Sequence, residues 1–112
     1  MKHDTFGQYL DFYKMQGCGN DFVAVDNRSA GVPAQDMPDL AVKACRRAFG
    51  IYADGMFFLE EAPAGSGLDY RWHFFNSDGS RAEMCGNASR CAARLSHALG
   101  LAPARHVFGT DA

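Results

Sequence analysis

The sequence has little net charge and no long hydrophobic run. Its 112 residues include 11 Lys and Arg against 13 Asp and Glu, a formal net charge of −2. Without a basic excess, nucleic acid is not an expected partner. No apolar run approaches the roughly 18–20 residues that cross a bilayer, and the first residues lack the pattern of a signal peptide. We therefore expect a cytoplasmic protein that makes no membrane contact.

The cysteines also lack any metal-binding or disulfide pattern. They are Cys18, Cys45, Cys85 and Cys91, and no two of them form a CxxC pair. Zinc knuckles need closely spaced ligand pairs, and disulfides need an oxidising compartment that nothing in the sequence indicates. The sequence therefore predicts no metal ion, and each cysteine is by default a small buried apolar residue.

The sequence contains enough apolar residues to form one small hydrophobic core. Hydrophobic residues make up 47% of the chain, which is the length of a single small domain. Residues 1–11 are mixed and polar, and we interpret them as an N-terminal extension. The order of predicted elements is typical of an α+β fold. Alternating or apolar runs predict strands over residues 21–26, 56–60, 70–75 and 105–110.

Two helices are predicted between these strands. The first should be capped by Asp36, hold Arg46 and Arg47 in its last turn and end at Gly50. The second covers residues 86–99, because apolar residues recur there at helical spacing. Small residues on its apolar side suit close packing against a sheet.

The segment with the clearest chemistry stands at the start of the second helix. Cys85 occupies that start, where unpaired N–H groups and the helix dipole lower the pKa of a thiol. Gly86 leaves space for a ligand, and backbone N–H groups there can hold a carboxylate. Asn76 and Asn87 add amide donors. This pattern indicates a thiol beside a carboxylate-binding pocket, although plain packing of Cys85 with capping by Gly86 and Asn87 also fits.

Four short segments stand out along the chain. They are GCGNDF at 17–22, DG at 54–55, FNSDGS at 75–80, and CGN at 85–87 followed by RC at 90–91. Together and in this order they resemble the diaminopimelate epimerase family, and the resemblance extends from about Phe12 to Thr110. Agreement across separate segments is much more specific than any one motif.

The resemblance implies a fold and a set of partners. The expected fold is one lobe of a diaminopimelate-epimerase-like fold, a curved and mostly antiparallel sheet wrapped around a central helix. Residues 12–112 would be the N-terminal lobe of such an enzyme, with the second lobe absent. The family implies a small-molecule amino-acid substrate, no cofactor and a homodimer in the intact enzyme.

The resemblance also implies roles for individual residues. Cys85 matches a catalytic cysteine that removes or delivers the α-proton of LL- or meso-diaminopimelate. The matched substrate-binding residues are Asn20, Asn76, Gly86 and Asn87. Asp21 and Asp54 are expected to hold turns near the site.

The family uses two cysteines on opposite faces of the α-carbon, one from each lobe. None of Cys18, Cys45 and Cys91 stands in a second motif like that of Cys85. The chain alone is therefore expected to be inactive. Two alternatives stay open at this point. One is a racemase or isomerase of the same fold with another substrate, and the other is an inactive lobe that only binds or dimerises.

Overall fold

The structure of the chain is a computed structural model that describes residues 11–17, 19–46, 53–82, 86–101 and 108–109. Within these ranges, five strands form one sheet, and three α-helices and one 3-10 turn accompany it. The strands are β1 (Tyr13–Gly17), β2 (Asn20–Asp26), β3 (Gly55–Glu61), β4 (Tyr70–Asn76) and β5 (Phe108–Gly109). The helices are α1 (Asn27–Ala30), α2 (Met37–Cys45) and α3 (Gly86–Ala98).

The strands lie side by side in chain order, with mixed pairing. β1 pairs with β2, and β3 with β4, in the antiparallel sense over their whole common length. β2 and β3 are parallel, and so are β4 and the short β5. Because β2 and β3 are parallel, both strands begin at the same end of the sheet. The α+β fold with a mostly antiparallel sheet is confirmed.

Each face of the sheet packs against its own helix. Alternate residues of β2 and β3 point to opposite faces, as the pleat requires. One face and α2 form a core of mainly aliphatic residues, and the other face and α3 form a more aromatic core. The first core includes Val23, Val25, Leu40, Ala44 and Phe58. The second includes Phe22, Phe57, Trp72, Phe74, Ala88, Cys91, Ala92 and Leu95.

Helix α2 differs at both ends from its prediction. A 3-10 turn over Ala34–Asp36 precedes it, so Asp36 has helical angles and its side chain makes no capping bond. Capping by a side chain needs an extended residue at that position. At the other end the helix stops at Cys45, because Arg46 is extended, and Lys43 is the basic residue of the last turn. Arg47 and Gly50 lie outside the described residues.

Helix α3 agrees closely with its prediction. It runs from Gly86 to Ala98, and its buried residues include Ala88, Ala92 and Leu95. Gly100 follows in the left-handed region, with φ +74°, and ends the helix. The described part of the predicted last strand is β5. Within the described ranges, no helix is both long and apolar enough to cross a membrane.

Candidate functional site

The described residues of the predicted site gather at one end of the sheet. Asn20 is the first residue of β2 and Asn76 is the last residue of β4. Gly55, the first residue of β3, lies between them, because it pairs with Phe22 on one side and with Asn76 on the other. Parallel pairing of β2 with β3 and antiparallel pairing of β3 with β4 therefore bring these three strand ends together.

The start of α3 meets this end of the sheet at Asn20. The side-chain amide of Asn87 donates from Nδ2 to Oδ1 of Asn20 over 2.6 Å. Packing explains the approach, since Ala88 and Ala92 of α3 are fully buried against the aromatic face of the sheet. The structure thus joins two of the predicted substrate-binding residues and sets a third, Gly86, next to them.

Asp54 completes a chain of hydrogen bonds that we call the open network, formed by Asp54, Asn20 and Asn87. Oδ2 of Asp54 accepts from Nδ2 of Asn20 over 3.3 Å and from the backbone N–H of Asp21 over 2.9 Å. The backbone N–H of Asp54 in turn donates to the carbonyl of Asp21 over 2.8 Å. The sequence predicted a turn-holding role for Asp54, and it did not predict the link to Asn20.

Asn76 is held by the turn that follows β4. Its Nδ2 donates to Oγ of Ser80 over 3.0 Å, and its backbone N–H donates to the carbonyl of Ser80 over 2.8 Å. Asp78 accepts from both the backbone N–H and the hydroxyl of Ser80, which lowers the pKa of Asp78. Asn76 is therefore fixed by its own turn, whereas Asn20 and Asn87 are fixed by each other.

Gly86 opens α3 at an uncrowded position. Apart from its chain neighbours and the backbone of α3, no described heavy atom lies within 4 Å of a methyl group added to Gly86, and the residue is exposed. The first N–H groups of a helix have no partner within the helix, and the dipole makes this end attractive to anions. The start of α3 therefore has the space and the donors that a carboxylate needs.

Two of the four cysteines, Cys45 and Cys91, lie within the described residues, and both are buried. Burial raises the pKa of Cys45 to about 11, while the positive charge of Lys14 acts against this rise. Such a thiol stays protonated at neutral pH. Cys91 lies on the face of α3 that packs against the sheet. The prediction of inert, buried cysteines is confirmed for these two, whereas Cys18 and Cys85 lie outside the described residues.

Comparison with known proteins matches almost the whole chain. The family model described as diaminopimelate epimerase covers residues 12–110. The chain belongs to the diaminopimelate epimerase family. A diaminopimelate epimerase from Synechococcus sp. (strain JA-2-3B'a(2-13)) is 51% identical over 92 residues, which are 82% of this chain and 31% of that protein.

Two further comparisons extend this result. The chloroplastic diaminopimelate epimerase of Oryza sativa subsp. japonica is 48% identical over 88% of this chain and 27% of its own length. This member of the diaminopimelate epimerase family thus spans about a third of the length of these curated relatives. A phenazine biosynthesis protein of the PhzF family from Bacillus anthracis shares the fold, with a TM-score of 0.54 and 18% identity over 82% of this chain and 28% of that protein.

A second polar cluster of this diaminopimelate epimerase family member begins at the opposite ends of β2 and β3 and extends across β4 to Arg81, which pairs with Phe75. We call it the closed network, and it consists of Asn27, Glu60, His73 and Arg81. Nε2 of His73 lies 2.9 Å from Oε1 of Glu60, and Nδ1 lies 3.1 Å from a guanidinium nitrogen of Arg81. A guanidinium only donates, so Nδ1 accepts and Nε2–H donates to Glu60.

The closed network holds His73 within the fold. His73 is 8% exposed, and the guanidinium of Arg81 also lies over the ring of Phe75, 4.7 Å from its centre. Asn27 donates to Oε2 of Glu60 over 2.7 Å. Across the described ranges, no group of three or more His, Cys, Asp and Glu side chains is arranged to hold a metal ion.

Proposed function

We propose that the intact protein is a cofactor-independent diaminopimelate epimerase, which interconverts LL- and meso-diaminopimelate. In this proposal residues 12–112 form the N-terminal lobe, which supplies Cys85 as one of two catalytic thiols. The observation that carries it is the Asn87–Asn20 bond of 2.6 Å, since it holds two amides beside the open start of α3. In the sequence, Cys85 comes directly before that start.

The proposed chemistry begins with proton removal at the α-carbon. The thiolate of Cys85, or of the cysteine in the second lobe, takes the α-proton, so a C–H bond breaks and an S–H bond forms. The released electron pair spreads onto the carboxylate oxygens. The opposite thiol then gives its proton to the other face of the carbon and is left as a thiolate. The product is the epimer, and no group is oxidised or reduced.

The site residues are proposed to make this weakly acidic proton removable. Charge that grows on the carboxylate oxygens is stabilised by preorganised N–H donors. The backbone N–H groups of Gly86 and Asn87 would supply them at the start of α3, together with the side-chain amides of Asn20, Asn76 and Asn87. The exposure of Gly86 and the hydrogen bonds of the open network support this assignment.

The remaining parts of the proposal concern the assembly. We infer that a second lobe supplies the other thiol, that the intact enzyme is a homodimer and that it acts in the cytoplasm. The greater length of the matched relatives supports a second lobe. Sedimentation of the intact enzyme as a monomer would contradict the dimer. The name of the rice relative makes the plastid the alternative compartment, which cell fractionation would distinguish.

The test uses a full-length chimera in which residues 12–110 of this chain replace the matching segment of the Synechococcus relative. We expect the chimera to epimerise LL-diaminopimelate and to take up solvent deuterium at the α-carbon. Cys85→Ala should reduce both rates by about 10²-fold or more, the usual contribution of a general base. The matched control is Cys45→Ala, which removes a buried thiol on the α2 face of the sheet and should keep most of the activity.

Three results would contradict the proposal or favour one of its alternatives. An unchanged rate for Cys85→Ala would remove that residue from the mechanism. Turnover of another amino acid, with none of diaminopimelate, would favour a racemase or isomerase of the same fold. A folded chimera that turns over no amino acid would favour a lobe that only binds or dimerises.

A further inference from the structure

Asp54 is the one member of the open network that the proposed reaction does not use. Its carboxylate is anchored, because Oδ2 accepts from the backbone N–H of Asp21 over 2.9 Å. The same oxygen accepts from Nδ2 of Asn20 over 3.3 Å. The first bond ties Asp54 to the backbone of β2, so its position does not depend on the Asn20 side chain.

The chemistry of a carboxylate then determines which way the amide of Asn20 faces. An ionised carboxylate only accepts hydrogen bonds, whereas a primary amide has a donor nitrogen and an acceptor oxygen. Asn20 must therefore turn its nitrogen toward Asp54. If the amide were rotated by 180°, its oxygen would face the carboxylate oxygen with no hydrogen between them, and both would be left without this bond.

The orientation of Asn20 determines that of Asn87 in the same way. With the nitrogen of Asn20 turned toward Asp54, its Oδ1 faces α3 and accepts from Nδ2 of Asn87 over 2.6 Å. Asn87 must turn its nitrogen toward the start of β2. One of its two N–H groups makes the bond to Asn20, and an amide nitrogen carries a second donor. The direction of each bond thus follows from the carboxylate.

We propose that Asp54 is a positioning residue that orients the amides of Asn20 and Asn87, so that a nitrogen of Asn87 is presented beside the start of α3. This inference rests on the proposed function, because it assigns these donors to the substrate carboxylate. A reversed Asn87 would present its oxygen there and repel an anion. Asp54 does not touch the substrate in this scheme, and it acts through Asn20.

The first test is independent of activity and uses the whole 112-residue chain labelled with ¹⁵N. We expect Asp54→Ala to shift the side-chain amide signals of both Asn20 and Asn87. The signals of Asn76 should stay in place, because its amide is bonded to Ser80. Asp54→Asn keeps an oxygen that can accept both bonds, so it should restore the signals toward those of the original chain.

A second variant keeps the test decisive if Asp54→Ala does not fold. Asn20→Ala leaves the bond between Asp54 and the backbone of Asp21 but removes the link to Asn87. It should shift the Asn87 amide signals in the same direction. Unchanged Asn87 signals in a folded Asp54→Ala or Asn20→Ala chain would overturn the inference, whatever the enzyme's activity.

The second test asks whether this orientation serves substrate binding, and it uses the full-length chimera. Asp54→Ala should raise KM for diaminopimelate about tenfold, the loss typical of one hydrogen bond to a charged group. Its effect should vanish in an Asn87→Ala background, because Asp54 acts through that amide. Asp54→Asn should rescue most of the loss. Additive effects of the two alanine variants would overturn the positioning role.

The two tests separate failure of this inference from failure of the proposed function. If the chimera turns over diaminopimelate and Asp54→Ala changes neither KM nor the Asn87 signals, the inference alone fails. If the signals respond but diaminopimelate is not a substrate, the proposed function fails, and the substrate-orienting role of Asp54 fails with it.

Discussion

The open network lies where the parallel strands β2 and β3 begin, and the closed network starts where they end, at Asn27 and Glu60. Each contains a carboxylate and at least one amide, and the closed network adds an imidazole and a guanidinium. They differ in how completely their polar groups are paired. In the closed network, Asn27 uses its nitrogen for Glu60 and for the carbonyl of Val32, and its oxygen for the N–H of Val32. In the open network, the bonds lead to the start of α3, where the described residues leave space around Gly86.

The comparison shows that similar polar side chains can either stabilise a fold or remain available to bind a ligand. A buried polar group contributes to a fold when its partners are all within the protein, and it is costly when one is missing. A binding site for an anion instead needs hydrogen-bond donors that are not all used within the protein, so that they can bind the ligand. Asn27 and His73, the buried residues of the closed network, therefore support the fold, whereas the open network is the part that we propose to bind the substrate.

The largest expected effect comes from breaking the closed network at Asn27. This residue is 7% exposed and holds the backbone of Val32 as well as Glu60. Asn27→Ala leaves these buried groups without partners, and each such group costs about 1–3 kcal/mol. Three groups lose their bond to Asn27: the carbonyl and the N–H of Val32, and the carboxylate of Glu60. At about 1 kcal/mol for each group, we expect the free energy of unfolding in urea to fall by about 3 kcal/mol.

The matched control is Asn87→Ala in the open network. It removes one partly buried bond between two neutral amides, worth about 0.5–1.5 kcal/mol. If Asn87→Ala destabilises the chain as strongly as Asn27→Ala does, the distinction between the two networks is wrong.

The next largest effect distinguishes two glycines at the site end of the sheet. At Gly55 an added Cβ would lie 2.8 Å from Cε1 of Phe74 and 2.9 Å from the backbone oxygen of Phe75. Because that oxygen belongs to the neighbouring strand, Gly55→Ala should cost about 1–3 kcal/mol of stability by overpacking. Thermal and urea unfolding of the chain would measure this loss.

The partner variant is Gly86→Ala, which has space in the described structure. Its urea midpoint should equal or slightly exceed that of the unchanged chain, because alanine favours a helix more than glycine does. In the chimera, the added methyl group should raise KM for diaminopimelate, since it occupies the proposed carboxylate position. A stable variant with an unchanged KM would contradict the position assigned to the carboxylate.

The smallest effect is expected at the exposed pair beside the closed network. Asp26 accepts two hydrogen bonds from the Arg28 side chain, at 2.8 and 2.9 Å, and this pairing lowers its pKa from the usual 3.8. A lowered pKa means that the pairing stabilises the fold above about pH 4 and that this stabilisation is lost as the pH falls through the folded-state pKa.

Asp26→Asn should remove that pH-dependent part of the stability. Because exposed ion pairs contribute little, the difference at neutral pH should be at most about 1 kcal/mol. Unfolding midpoints measured between about pH 5 and 2 should fall less steeply for Asp26→Asn than for the unchanged chain. Parallel curves for the two proteins would show that the pair contributes nothing to acid sensitivity.

Much of the fold was predictable because its central elements have strong patterns. β2, β3 and β4 are rich in β-branched and aromatic residues, and α3 repeats its apolar residues at helical spacing. β1 was not predicted. Tyr13 is 43% exposed, and the strand forms through its pairing with β2, which a local pattern does not reveal.

The sequence indicated residues for the candidate site, and their roles stay predictions, but it did not indicate the contacts between them. Spacing at the start of α3, and resemblance to the family, identified Gly86 and Asn87 together with Asn20 and Asn76. The bond between Asn87 and Asn20 joins residues 67 positions apart, and that between Asn20 and Asp54 joins residues 34 positions apart. Such contacts depend on sheet order, so the hydrogen bonds of Asp54 could not be predicted from the sequence.

The distance along the chain between these partners also bears on how the site forms. Contacts that close long loops are assembled late, after nearer parts of the chain have ordered, because loop closure opposes them. A short peptide that contains the CGN motif would therefore carry the right residues without the site. Conversely, a carboxylate ligand that binds only the assembled site would shift the folding equilibrium of the whole chain, and melting temperature would report its affinity.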